Sequence, residues 1–275
     1  MSTPRSQPAA IILAAGKGTR MKGDLPKVVH PVGGRPMICA VVDACRAVGC
    51  DPIVAVVGYR QGLVREALAD SPGVRFAVQE QQFGTGHAVL SAEASLAALP
   101  PETDVLVLCG DGPLIRPATL RELLARHREA GATATLATSI IDDPTGYGRI
   151  VRESAERGGR FVGIVEHKNA TSDQRRIREV NPSYYCFRLG DLLAALRRVE
   201  RNPLSGEYYL TDTLSLLLAD GRRVEVVPSV PPEDVLSINT PEDLAVVDRL
   251  YRARPASAGS PPASPLPPLT QEEAR

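Results

Sequence analysis

The chain has 275 residues, with 32 basic and 32 acidic side chains and a formal net charge of zero. Such a length can bury a sizeable core, as one large domain or a domain with a substantial insertion. The balanced charge argues against nucleic-acid binding through a basic face, and a chain with no Trp and only four Phe offers little for single strands to stack on. The five cysteines (Cys39, Cys45, Cys50, Cys109, Cys186) are odd in number and include no C-x-x-C pair, so buried, reduced thiols and a cytoplasmic location are expected rather than disulfides or a zinc site. Met1 to Pro8 is short and polar, unlike a signal peptide, and no apolar run approaches the roughly 20 residues that span a bilayer.

The first apolar strand, Ala10–Ala15, runs straight into Gly16-Lys17-Gly18-Thr19-Arg20-Met21, with Leu25-Pro26-Lys27 beyond. Gly16 and Gly18 are expected to take backbone angles that other residues resist, leaving N–H groups free to face an anion. Arg20 and Lys27 add two positive charges, and a phosphate chain suits that combination. The spacing fits neither a Walker loop nor a dinucleotide fingerprint, whose third Gly would fall at Met21.

Further strands are expected at Ile53–Gly58, Val74–Val78 and Val105–Cys109, separated by helices at Met37–Val48, Gln61–Ala69 and His87–Leu99, and followed by a helix at Pro117–Ala130. Near-continuous apolar strands in a β-α-β-α order imply an α/β fold with a doubly wound, mainly parallel sheet covered on both faces. Ligands bind such sheets at the carboxyl ends of the strands, where Gly16 and Asp111 fall. From about Asp142 to Asn181 charged and Gly-rich stretches interrupt short β-like runs such as Phe161–Glu166, which reads as a β-rich insertion folded over one side of the crevice. A strand at Ser183–Leu189, helices at Asp191–Arg201 and Glu207–Leu218, a strand at Arg223–Val227 and a last helix opened by Thr240-Pro241-Glu242-Asp243 follow. The expected domain is 8–252, with the insertion at 142–181. The tail, 253–275, is rich in Pro, Ala and Ser and is expected to be disordered.

Asp111 ends an apolar strand and is either a ligand for a hard divalent cation such as Mg²⁺ or a turn residue before Gly-Pro. Asn239 offers a neutral oxygen just ahead of a helix N-terminus, or simply caps it. Gln79, with the loop Gly84-Thr85-Gly86-His87, brings an amide whose donor and acceptor suit a pyrimidine edge. Glu166 either accepts bonds from sugar hydroxyls or pairs with Lys168 on the surface. His127, on a helix face of Arg and Glu, is expected to be solvated, and no Ser-His-Asp or Cys-His pairing points to a covalent nucleophile.

Taken together, Leu13–Met21, Leu25-Pro26-Lys27, Gly84–His87, Gly110-Asp111, Asp143–Arg149, Ile164–Lys168 and Gly206–Asp212 resemble the N-acetylglucosamine-1-phosphate uridylyltransferase family, one of the sugar-nucleotide and molybdenum-cofactor (MobA-like) nucleotidyltransferases. The resemblance covers about residues 10 to 250 and implies a Rossmann-like nucleotide-diphospho-sugar transferase fold. It implies that Leu13, Ala14, Ala15 and Gly16 line the nucleotide, that Arg20 and Lys27 handle the triphosphate, and that Gln79, Gly84 and Thr85 hold uracil. It further implies that Gly110 lies against substrate, that Asp111 and Asn239 bind Mg²⁺, and that Gly148, Glu166 and Asn181 contact the amino sugar. The implied partners are a nucleoside triphosphate and a sugar 1-phosphate, with no nucleic acid and no membrane. The alternatives are the same chemistry on another sugar or base, and a non-catalytic nucleotide-sugar sensor. Asn181-Pro182-Ser183 stands where the family usually has Asn-Thr-Gly, and Cys109 where an aromatic is common. No hexapeptide-repeat acetyltransferase domain, and no trimer built by one, is expected.

Overall fold

A computed structural model describes residues 7–21, 23–154 and 159–254. In chain order the elements begin with β1 (Ala9–Ala14), a small hairpin of β2 (Pro31–Val32) and β3 (Arg35–Pro36), α1 (Met37–Ala47), β4 (Ile53–Val57), α2 (Gln61–Ala67) and β5 (Val74–Val78). Next come α3 (Thr85–Ser91), α4 (Glu93–Leu96), β6 (Asp104–Cys109), α5 (Pro117–Ala130) and β7 (Ala134–Ile140). The remainder comprises β8 (Gly148–Arg152), β9 (Phe161–Val165), α6 (Ser172–Arg175), β10 (Glu179–Arg188), α7 (Leu189–Leu196), α8 (Asp212–Ala219), β11 (Val224–Val227) and α9 (Pro241–Arg252).

The main sheet runs β11-β7-β10-β6-β1-β4-β5, with β8 and β9 attached through β10. β1 is parallel to β4 and β6, β4 to β5, and β11 to β7, whereas β10 runs antiparallel to β6 and β7. The sheet is therefore mixed and mainly parallel, as the alternation of elements implies. Successive residues of a strand face opposite sides, and both sides are covered. Ala10, Ile12 and Ala14 of β1 join one buried cluster with α1 and α5, while Ala9 and Ile11 join a second with α3, α7 and α8. Among the described residues, no helix is long and apolar enough to cross a membrane.

Several expectations are corrected. Residues 207–211 are not helical, because the backbone of Tyr208 is committed elsewhere: its N–H donates to Phe83 O (2.7 Å) and its carbonyl accepts from Gly86 N (2.8 Å). The expected helix at 87–99 starts earlier, at Thr85, and breaks at Ala92. The expected helix at 191–201 lies earlier, over Leu189–Leu196. β7 is an element the sequence pattern does not predict, whereas β8 and β9 fall inside the expected β-rich insertion. β10 begins four residues before the expected strand and carries a bulge between Val180 and Tyr184, where Ser183 takes φ 66°. His127 is not solvated but 1% exposed, with Nδ1 2.8 Å from Thr135 Oγ1 and Nε2 3.5 Å from Asp104 Oδ1. It follows Leu120, Leu123 and Leu124 at helical spacing, on the face of α5 that meets the sheet. The four thiols of Cys39, Cys45, Cys50 and Cys186 are buried, and all five cysteines are free. The expected tail falls, from residue 255 on, outside the described residues.

Candidate active site

The register of the sheet decides which loops share a crevice. Leu13 pairs with Cys109, Ala14 with Val57, and Val57 with Val78. The chain segments leaving β5, β4, β1 and β6 thus emerge side by side, presenting Gln79, Gly58, Ala15 and Gly110 in that order. β10 runs the other way, and its Tyr184 pairs with Leu108. Its beginning, with Asn181, therefore lies at the same edge. Asn181 pairs with Gly148 of β8, and Arg149 with Val165 of β9, which brings Glu166 in beside them.

Four of the expected side chains meet at one point. Asn239 Oδ1 accepts hydrogen bonds from Arg20 NH2 and Lys27 Nζ, each at 2.8 Å, and Lys27 also pairs with Asp111. Sequence separations exceeding two hundred residues close here because the backbone of Ile238 donates to Asp111 O (3.2 Å) and joins the two walls. Asn239 is in turn fixed by Asp243, which accepts from the N–H groups of Asn239 and Thr240 (2.9 Å each) within a capping box at the start of α9. Of the two loop glycines only Gly18 has positive φ (+69°). A Cβ on it would lie 2.6 Å from Lys27 Cβ, so the loop closes directly on the lysine. Gly16 needs no special angle and faces open space, which corrects the expectation for that position.

Asp111 and Asn239 place one carboxylate oxygen and one amide oxygen on a single ammonium group. That donor set, two oxygens already gathered on a cation, fits a hard divalent ion that completes its shell with water and phosphate. No group of three or more His, Cys, Asp or Glu occurs among the described residues, so a site made wholly of such ligands is absent from them. The Cys109 thiol sits between this cluster and Ser183. Burial first, and then the neighbouring Asp111 carboxylate, push it up to about 12, so it stays protonated at neutral pH.

A second group lies beside Ala15. Gln79 is 4% exposed; its side-chain nitrogen donates to Gly84 O (3.1 Å) and lies 3.0 Å from His87 Nδ1. Gln82 Nε2 donates to Ala15 O (2.7 Å), so this loop is tied to the one that follows β1. A Cβ on Gly58 would come within 3.0 Å of both Ala15 and the Gln79 carbonyl. Thr85 Oγ1 accepts from Leu210 N (3.0 Å).

The third group is at the insertion. A Cβ on Gly148 would lie 3.6 Å from both Glu166 Oε1 and Asn181 Cβ. Asn181 donates to Tyr185 OH (2.6 Å) and accepts from Ser183 N (3.0 Å). Glu166 meets the Thr211 hydroxyl at 3.5 Å, and burial raises its carboxyl above the ordinary value. Lys168 lies instead over the Tyr209 ring, 5.1 Å from its centre.

Sequence reasoning missed the supports behind these groups. Asp234, 1% exposed, is gripped by Arg116 and Arg254, while Arg254 also donates to Leu114 O (2.6 Å). The backbone carbonyl of Asp234 accepts from Tyr184 OH (3.2 Å), and that of Val235 from Tyr147 OH (3.3 Å). Arg149, 1% exposed, donates to Tyr147 O and lies 3.1 Å from His167 Nδ1. An Asp within Pro-Pro-Glu-Asp carries no sign of such a role, whereas Arg149 at least adjoins the Gly-Tyr-Gly turn.

A model of the MobA-like NTP transferase domain matches residues 10–202. A bifunctional protein GlmU from Geobacter metallireducens is 46% identical over 246 residues, covering 90% of this chain and 51% of its own length. Its namesake from Desulfotalea psychrophila is 45% identical, with 90% and 71% covered. The chain thus spans about half of the first relative's length and 71% of the second's. A crystal structure of UDP-glucose pyrophosphorylase complexed with UDP-glucose superposes with a TM-score of 0.72 at 19% identity, covering 90% of this chain and 99% of that one. At that identity the likeness concerns the fold.

Proposed function

The chain belongs to the MobA-like NTP transferase domain family, and from that premise we propose that it joins a nucleoside triphosphate to a sugar 1-phosphate with release of pyrophosphate, the pair being UTP and N-acetylglucosamine 1-phosphate. The observation that carries this reading is the convergence of four side chains: Arg20 and Lys27 both reach the Asn239 amide oxygen, and Lys27 also pairs with Asp111. Two fixed cations and two oxygen ligands at the mouth of a doubly wound sheet are what a triphosphate requires.

A sugar-phosphate oxygen attacks the α-phosphorus in line, a new P–O bond forms, and the bond to pyrophosphate breaks. The attacking oxygen is already ionised, so no general base is needed, in keeping with the absence of a legible nucleophile–base pair. Arg20 and Lys27 stabilise the charge gathering on the phosphates, and the loop after β1 orients them. Asp111 and Asn239 would hold Mg²⁺, which when bound neutralises the triphosphate. Gln79, Gly84 and Thr85 hold the base, while Gly148, Glu166 and Asn181 face the sugar. Five free thiols are consistent with work in the cytoplasm.

Pyrophosphate release from a panel of triphosphates and sugar phosphates tests the proposal. Arg20→Ala and Asp111→Ala are each expected to lower turnover on the order of 10²-fold or more with the fold retained. Near-normal turnover of Asp111→Ala with Mg²⁺ refutes the metal assignment, and binding without turnover by the wild type points to a sensor. The bulge at Pro182-Ser183, directly after Asn181, favours one second reading, the same chemistry on a different sugar phosphate.

A further inference from the structure

Gln79 is the buried side-chain amide of the base-facing group, and the structure leaves it only one way to read a ligand. The carbonyl of Gly84 can only accept, so the atom 3.1 Å from it must be the amide nitrogen, which orients the whole group. The same nitrogen lies 3.0 Å from His87 Nδ1. With the nitrogen so assigned, Nδ1 is the bare ring nitrogen and the imidazole proton is on Nε2. Both amide hydrogens of Gln79 are then in use. Its Oε1 has no protein partner among the described residues and is not sealed from solvent. A residue 4% exposed thus offers a ligand a single acceptor.

Neither partner of the amide is free to turn. Gly84 has φ +99°, and a Cβ there would strike Tyr208 O at 2.7 Å. Tyr208 is held by Phe83 O and Gly86 N on either side. The His87 ring sits in the first turns of α3 and packs edge-on against Phe83, with centroids 5.4 Å apart. Thr85, next to Gly84, is held in place as its Oγ1 accepts from Leu210 N. The loop therefore presents an acceptor at Gln79.

We propose that His87, together with the Gly84 carbonyl, locks Gln79 as an acceptor-only reader, so that the site takes a pyrimidine with a ring N–H at position 3 and rejects one with a bare ring nitrogen there. Uracil presents that N–H to the Gln79 acceptor. Cytosine presents an acceptor to an acceptor. His87 is a positioning residue in this scheme, and the scheme rests on the reading that residues 79–86 hold the base.

The test compares UTP, CTP and 3-methyl-UTP with one sugar phosphate, for the wild type and for His87→Leu and His87→Asn. The wild type is expected to prefer UTP over both analogues by about a hundredfold or more in kcat/KM, because an unmet buried acceptor weighs heavily on binding. His87→Leu releases one amide hydrogen; KM for UTP should rise roughly tenfold and the UTP/CTP ratio fall by a similar factor, with KM for the sugar phosphate unmoved. His87→Asn, whose side-chain oxygen can accept the same hydrogen, should restore most of the ratio. A ratio within twofold of wild type in folded His87→Leu overturns the proposal, as does wild-type use of 3-methyl-UTP on a par with UTP. If His87→Leu does not fold, the 3-methyl-UTP comparison on the wild type decides. If no triphosphate releases pyrophosphate, the transferase reading fails; calorimetric binding of UMP, CMP and 3-methyl-UMP then tests the base reader separately, and equal binding of the three overturns it.

Discussion

Removing the Asp234 carboxylate tests what holds the two oxygen-bearing walls together. Asp234→Ala leaves two guanidinium groups without their shared partner at a position 1% exposed. Breaking a buried pair from one side costs about 3–5 kcal/mol. Two features place this case at the lower end. The Arg116 side chain is 42% exposed and keeps Glu233 at 3.0 Å, and Arg254 keeps the Leu114 carbonyl. About 3 kcal/mol is expected, which for a domain of this size is a fall of roughly 6–12 °C in Tm. Differential scanning calorimetry and urea unfolding both measure it. The segment 230–239 also carries Asn239, so pyrophosphate release should fall even at temperatures where the variant is fully folded. A loss below about 1 kcal/mol, the worth of an exposed ion pair, would refute the argument that this carboxylate is the tie.

Gly18→Ala should destabilise by roughly 1–3 kcal/mol, from the left-handed backbone angle and from the contact with Lys27 Cβ, and should depress turnover more than stability; Gly16→Ala, facing open space, should leave the unfolding midpoint unchanged. Equal unfolding midpoints for the two variants would show that the loop does not close on Lys27. Burial raises the Glu166 carboxyl above its ordinary value, so folding favours its protonated form and stability is lost as pH rises through the folded-state value. Glu166→Gln without ligand should therefore unfold at a higher temperature than wild type near pH 8, with the gap closing at pH values below the ordinary carboxyl range; a wild type at least as stable at pH 8 contradicts this. If Glu166 faces the sugar as proposed, the same variant should also bind sugar phosphate more weakly.

The first half of the sheet was legible because its strands are short apolar runs punctuated by helix signals, and local pattern decides such elements. β5 and α5 fall where the sequence puts them, and β1, β4 and β6 differ by a residue at their ends. The loop after β1 could be recognised for the same reason, since its glycines, Arg20 and Lys27 lie within a dozen residues. Where a segment's conformation is set by a distant partner, local pattern fails. Residues 207–211 read as helix until the 83–86 loop takes the Tyr208 backbone, and His127 reads as surface until Thr135 and Asp104 meet its ring.

The amino-acid sequence by itself determined the residue types available to the site: two cations, a carboxylate at a strand end, an amide ahead of a helix, and a glutamine beside a glycine-rich loop. Tertiary structure alone decided that Asn239 meets Arg20 and Lys27 across more than two hundred residues, that Asp234 ties the walls behind them, and that the Gln79 amide turns its oxygen outward. The reason is physical: hydrogen-bond donors and acceptors are chosen by side-chain chemistry, but which of them are already satisfied depends on neighbours that only the folded sheet brings within 3 Å or so.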